Sequence, residues 1–178
     1  MHISLSEVMN LGGNSKTIEA PLEMDSFEYD GGRYDFISKE PVVIKLNRVS
    51  PGTLRFLAKS RCVLSAECSR CLEPVELPFE VNVDDELILD ENGRACTRDD
   101  DEKLSFVKDY ELDVDDFIKE ELMIGFPLKV LCSEDCRGIC PKCGANLNKG
   151  ECGCDRTVLD PRMAKIRDLF PDMNDKEV

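Results

Sequence analysis

Residues 54–83 read LRFLAKSRCVLSAECSRCLEPVELPFEVNV, and their alternation decides the fold. From Leu54 the even positions are Leu54, Phe56, Ala58, Ser60, Cys62, Leu64 and Ala66, with Arg55, Lys59, Arg61, Ser65 and Glu67 between them. Successive side chains of a strand point to opposite faces, so this period of two predicts a long strand with one face toward a core. The parity returns in Val75, Leu77, Phe79, Val81 and Val83, opposed by Glu76, Glu80, Asn82 and Asp84. Two such runs around a short polar connection make a long hairpin.

Outward from the hairpin, Val42, Ile44 and Leu46 predict a preceding strand, closed by the turn Ser50-Pro51-Gly52, and Ile18, Ala20, Leu22 and Met24 predict another. One apolar face per strand means an antiparallel sheet covered on one side, or curled into a partial barrel. Downstream, DENGRACTRDDDEKLSFVKDY at 90–110 is dense in charge and poor in apolar residues, which predicts a mobile excursion before Phe106. A helix is expected over about 113–126: Asp113 caps it, Asp115 and Asp116 suit its positive end, and Val114, Phe117, Ile118 and Leu122 share a face. Pro127 ends it. A short last helix is expected from Pro161 through Leu169, with Asp160 as cap. The class is therefore α+β, with a β-rich domain over 1–130 and a cysteine-rich module with the last helix over 131–178, packed on the first part.

Ten cysteines carry the chemistry: Cys62, Cys68, Cys71, Cys96, Cys132, Cys136, Cys140, Cys143, Cys152 and Cys154. Six of them fall in the 23 residues CSEDCRGICPKCGANLNKGECGC at 132–154. A disulfide framework, a redox dithiol, an iron–sulfur cluster and a zinc site all collect thiols in this way. No basic leader with an apolar run stands near Met1 and no apolar stretch is long enough to span a bilayer, so the expected address is the cytoplasm, where thiols stay reduced. Cys140-Pro-Lys-Cys143-Gly has the form of a zinc knuckle, and Cys152-Gly-Cys154 supplies a second pair after eight intervening residues. Four thiolates from adjacent turns make a closed tetrahedral site. Cys132 and Cys136 then lack local partners, and the other close pair is Cys68-Ser-Arg-Cys71 at the hairpin tip. Counting proposes a second four-cysteine zinc site there, clamping the two halves of the chain. A thioredoxin-type pair would open a helix in a βαβ unit, a context absent here. Iron–sulfur ligation stays open, although the C-x-x-C-x-x-C spacing is missing. Cys62 is expected in the core and Cys96 as an incidental exposed thiol.

An enzyme is not expected. The only histidine is His2, so no Cys-His dyad or Ser-His-Asp triad can be assembled around an ordered base. Sites filled by four thiolates keep no open position for a metal-bound water. No P-loop or dinucleotide fingerprint is present, and no small-molecule substrate is expected.

Charge narrows the partners. The formal net charge is −14, and residues 84–121 hold 16 acidic against 5 basic side chains. Phosphate neutralisation needs Lys and Arg, so strong nonspecific nucleic-acid binding is disfavoured. The acidic run is either a solvated face or a surface for a basic partner.

Several motifs resemble one known family. ECSRCLEPVELPFEV at 67–81, GGRYDF at 31–36, LCSEDCRGICPKCGANLN at 131–148, CGC at 152–154 and the terminal DPRMAKIRDLF look like the YceD family, the large ribosomal RNA subunit accumulation proteins. The resemblance implies a ribosome-biogenesis factor that supports 23S rRNA accumulation and large-subunit assembly. Family genes commonly adjoin that of a small zinc-ribbon protein of the large subunit. Two mechanisms follow. Arg70, Arg137, Lys142 and Lys149 around the zinc turns would touch ribosomal RNA, or the acidic run, with Asp99, Asp100, Asp101 and Glu102, would shield a basic ribosomal protein. The net charge favours the second. The rival classes are a thiol oxidoreductase or zinc-dependent enzyme, and a transcription-related zinc module, which would need a basic recognition helix.

Overall fold

The computed structural model describes residues 1–10, 15–97 and 104–155. The helix expected over 161–169 lies outside the described residues. The described residues fall into two compact units, those within 1–69 and 73–132, and those within 70–72 and 133–155.

The first unit is mostly antiparallel sheet, curled as a half-barrel. Its spine is β6 (Thr53–Glu67), which pairs along its whole length with β7 (Pro74–Leu89), from Thr53 opposite Ile88 to Glu67 opposite Pro74. The other edge of β6 is shared. β5 (Val42–Ser50) pairs with its first half, and β4 (Gly32–Lys39) with its second. Outside these lie β2 (Lys16–Ala20), on β5, and β3 (Ser26–Tyr29), on β4. The alternation expected of β6 is present residue by residue: Leu54, Phe56, Ala58, Cys62, Leu64 and Ala66 are buried, and Arg55, Lys59, Arg61 and Ser65 are exposed. β2 stops at Ala20 rather than continuing through Met24, because Pro21 has no N–H for a ladder.

A second, three-stranded sheet joins β1 (His2–Ser4), β9 (Val107–Lys108) and β10 (Glu111–Asp113), with β10 in the middle. A single short helix, α1 (Leu5–Asn10), follows β1 and buries Leu5 and Val8. α2 (Val114–Gly125) has the expected bounds, with Asp113 accepting from the N–H groups of Asp115 and Asp116. Its buried face is Val114, Phe117, Ile118 and Leu122. Phe117 meets Phe56 of the sheet edge-on at 5.0 Å and Phe106 at 5.2 Å. Asp115 also accepts from the backbone N–H groups of Glu23 and Met24, which fixes the chain after β2 to the helix start.

Part of the stretch expected as a mobile excursion is built into the fold. The Asp90 carboxylate accepts from the N–H groups of Asn92 and Arg94, Gly93 takes the left-handed conformation at φ 71, and the turn delivers β8 (Ala95–Thr97) back onto β7. The Tyr110 N–H donates to the Gly93 carbonyl, and the Tyr110 hydroxyl donates to the Asp90 and Glu91 carbonyls. Backbone hydrogen bonds and one aromatic ring do here what apolar content does elsewhere. Cys96 is accordingly half-buried on β8, its thiol directed to the Ile88 carbonyl, and is not an exposed incidental thiol.

Candidate metal centres

The eight cysteines singled out by spacing fall into two groups. Cys140, Cys143, Cys152 and Cys154 place their sulfurs within 4.8 Å of one another, and so do Cys68, Cys71, Cys132 and Cys136. Tetrahedral thiolates about 2.3 Å from a zinc ion lie about 3.8 Å apart, inside that limit.

The first group is built from tight turns. The Cys140 N–H donates to the Ala145 carbonyl at 2.8 Å, the Gly144 N–H returns to the Cys140 carbonyl at 2.8 Å, and Ile139 bridges Asn146. Gly144 and Gly153 both have positive φ, at 73 and 66, where a Cβ would be strained, so the chain can wrap its N–H groups around sulfur. The consequence is electrostatic. Backbone N–H groups of Cys143 and Lys142 hold the Cys140 thiol down at about 6. Hydrogen bonds with Cys143 and Cys152, and their charge, push Cys154 up to about 12. A divalent cation binds the thiolate form of such ligands. The donor set thus fits a soft, tetrahedral ion.

Around the second group, the hairpin tip is closed by the Cys68 N–H on the Glu73 carbonyl at 2.9 Å, with Leu72 at φ 61. The Ser69 N–H donates to the Val130 carbonyl at 2.8 Å. Around Cys136 the partners are the Ser133 carbonyl, which accepts its N–H at 3.1 Å, and the Asn148 amide, which donates to its sulfur at 3.3 Å. Cys68, Cys71 and Cys136 are buried and Cys132 is exposed. Such donors to sulfur orient a ligand and spread its charge.

The basic residues proposed for RNA are partly occupied. Arg70 donates from its guanidinium to the Cys136 carbonyl at 2.8 Å and to that of Glu134 at 3.4 Å. Its own carbonyl accepts from Ile139, and Gly138 passes so close that a Cβ there would sit 3.1 Å from the Arg70 oxygen. Arg137 is paired with Glu151 at 2.9 Å. Lys142 is exposed, and the Lys149 N–H donates to the Asn146 carbonyl. Asp99, Asp100, Asp101 and Glu102 lie outside the described residues. Sequence reasoning missed Asn148, which also accepts the Arg137 N–H at 2.7 Å. Its signal was the pair Asn146 and Asn148, two turn-forming amides between cysteine pairs.

An antiparallel half-barrel with two groups of four thiols defines a protein in which each group could hold a metal ion. The chain belongs to the YceD family: the model of the large ribosomal RNA subunit accumulation protein YceD matches residues 58–170. Among curated relatives, the chloroplastic large ribosomal RNA subunit accumulation protein YCED homolog 1 of Arabidopsis thaliana is 29% identical over 153 residues, covering 82% of this chain and 46% of that protein. An uncharacterized protein of Mycobacterium tuberculosis is 31% identical over 104 residues, 58% of this chain and 49% of its own length. YlbN of Bacillus subtilis is 27% identical, with 58% of each chain covered. The chain spans about half the length of these relatives. No solved structure matches. Among the described residues no helix is long and apolar enough to cross a membrane.

Proposed function

We propose that the protein is a noncatalytic, cytoplasmic ribosome-biogenesis factor that supports 23S rRNA accumulation by holding a basic protein of the large subunit before assembly. Zinc in both four-cysteine groups shapes it, with Cys68, Cys71, Cys132 and Cys136 around one ion and Cys140, Cys143, Cys152 and Cys154 around the other. The observation that carries the choice of partner is charge. Residues 84–121 hold a net −11, and two of the four cations available for RNA, Arg70 and Arg137, are engaged with carbonyls and a carboxylate of their own neighbourhood.

The test opposes two sets of variants. Asp99→Asn, Asp100→Asn, Asp101→Asn and Glu102→Gln together should weaken a complex with a purified basic large-subunit protein and flatten its salt dependence, because screening acts on the charges removed. Lys142→Ala with Lys149→Ala should leave it unchanged. The reverse pattern, with 23S rRNA accumulation following the lysines, would transfer the function to RNA binding.

A further inference from the structure

At its C-terminal end α2 and the chain after it turn apolar side chains outward. Met123, Ile124 and Leu128 are exposed, Ile124 at 80% and Leu128 fully, although the rest of the helix buries its apolar face. Leu128 also lines a cleft of about 240 Å³, with Tyr29, Tyr34, Phe126, Pro127 and Val130. Its wall is rigid. The Phe126 ring centre lies 4.7 Å from that of Tyr34, 5.1 Å from Tyr29 and 5.9 Å from Phe79. Grouped exposed apolar side chains beside a preformed aromatic cleft mark a place where a partner seats an anchor.

Charge says which partner. Asp30 lines the cleft, and Glu120 and Glu121 stand on α2 within one turn of Ile124. From Glu111 to Lys129 there are six carboxylates and two cations, Lys119 and Lys129. Burial, and then the neighbouring Glu120, push the Glu121 carboxyl up, a penalty that an incoming cation would relieve. Phosphate is repelled by the same rim. We propose that this surface docks a segment of a partner protein that presents one large apolar side chain flanked by Lys or Arg. The inference rests on the reading of a basic protein partner and gives that partner a contact point separate from Asp99–Glu102.

The test uses the full, metal-loaded chain and labelled 12-residue peptides of Lys and Ser with one central Phe, followed by fluorescence anisotropy. The Phe peptide should bind. Replacing its Phe by Ser, or its Lys by Glu, should weaken binding at least tenfold. The double variant Ile124→Ser, Leu128→Ser should also lose at least tenfold with its circular dichroism unchanged, since both side chains are exposed. Independently, Asp30→Asn with Glu121→Gln should weaken binding and flatten its salt dependence. Equal binding of the Phe and Ser peptides, or full binding by the double variant, would overturn the proposal in favour of unspecific charge attraction. A wild-type dimer that the double variant loses would give the surface to a second copy and overturn it. So would a single-stranded RNA that binds the wild type and not the double variant. Failure of the peptide leaves the ribosomal reading intact. Normal 23S rRNA in cells lacking the gene removes that reading and leaves the peptide result standing.

Discussion

The β6–β7 hairpin and the cysteine-rich turns from Ser133 to Asp155 are held by different physics. In the hairpin, cross-strand pairs such as Leu54 with Leu87 and Leu64 with Leu77 stack an apolar face over its length, and β6 alone buries seven side chains. In the cysteine-rich stretch the buried residues are Cys136, Gly138, Cys140 and Leu147. Two cysteines, a glycine and a single leucine cannot supply a core. What orders this part is the set of backbone hydrogen bonds around Cys140, Gly144 and Leu147, with the thiols as the place where binding free energy enters. One region carries its stability in its own side chains, and on the proposed reading the other takes it from an ion.

The sharpest way to break that contrast is to remove the ion. A strong chelator with a reductant should collapse hydrogen-exchange protection at the N–H groups of Cys140, Gly144 and Leu147 while leaving β6 and β7 protected. The effect is the largest expected, because a structural zinc contributes about 10–16 kcal/mol of apparent binding at neutral pH. Elemental analysis of untreated protein should give about two zinc ions per chain. Cys140→Ser and Cys71→Ser should each reduce that to about one. A count of one in the unaltered protein would leave a single group as the metal site, and absorption from iron–sulfide charge transfer would replace zinc by a cluster.

Next in size is a cavity in the half-barrel. Phe56 is 1% exposed and meets Phe117 edge-on, so Phe56→Ala should cost about 3–5 kcal/mol, read as a lower unfolding midpoint in urea. Metal content should stay at two. If zinc is lost together with the aromatic contact, the two regions do not hold themselves by separate means.

The contrast also explains what could be read from the chain alone. Period-two alternation located β5, β6 and β7, and the 3.6-residue repeat located α2, because both follow from which side chains share a face. The β3–β4 hairpin escaped. Its alternation is diluted by Gly32, Arg33 and Asp35, although Asp30-Gly31, both at positive φ, is a strong turn signal. β1, α1 and β8 escaped because segments of three to six residues with one or two buried side chains carry no period. Among the thiols, the grouping of Cys140 and Cys143 with Cys152 and Cys154 was visible as spacing. Grouping Cys68 and Cys71 with Cys132 and Cys136 needed counting by elimination. The clamp that Arg70 makes on the Cys136 carbonyl was not legible, because a bond across 66 residues leaves no local pattern.

A smaller effect appears at alkaline pH. Burial pushes the Cys62 thiol up to about 11, against about 9 for an open chain. The folded state therefore holds this proton more tightly than the unfolded one. Its contribution is complete below pH 9 and is lost as pH rises toward 11, up to roughly 3 kcal/mol at 1.36 kcal/mol per unit. Cys62→Ala should remove that part of the alkaline slope, measured as urea midpoints at pH 8 and pH 10.5, while costing some stability at both. An unchanged slope would place the alkaline loss at other groups.

The smallest expected effect lies at the start of α2, and it separates two roles that a single carboxylate combines. Asp113 accepts from the Asp115 N–H at 3.0 Å and from that of Asp116 at 3.4 Å, and its charge stands at the positive end of the helix. Asp113→Ala removes both and should cost about 1 kcal/mol. Asp113→Asn keeps the acceptor and removes the charge. Asp115 and Asp116 already supply negative charge in the first turn, so the charge of Asp113 is largely redundant there and its hydrogen bonds are not. Asn should therefore recover most of what Ala loses, read as thermal midpoints at low and high salt. If Asn is as damaging as Ala, and salt abolishes the difference from the unaltered protein, the cap works through charge. In either case zinc content should not change, because the capping bonds lie in the half that carries its stability in its own side chains.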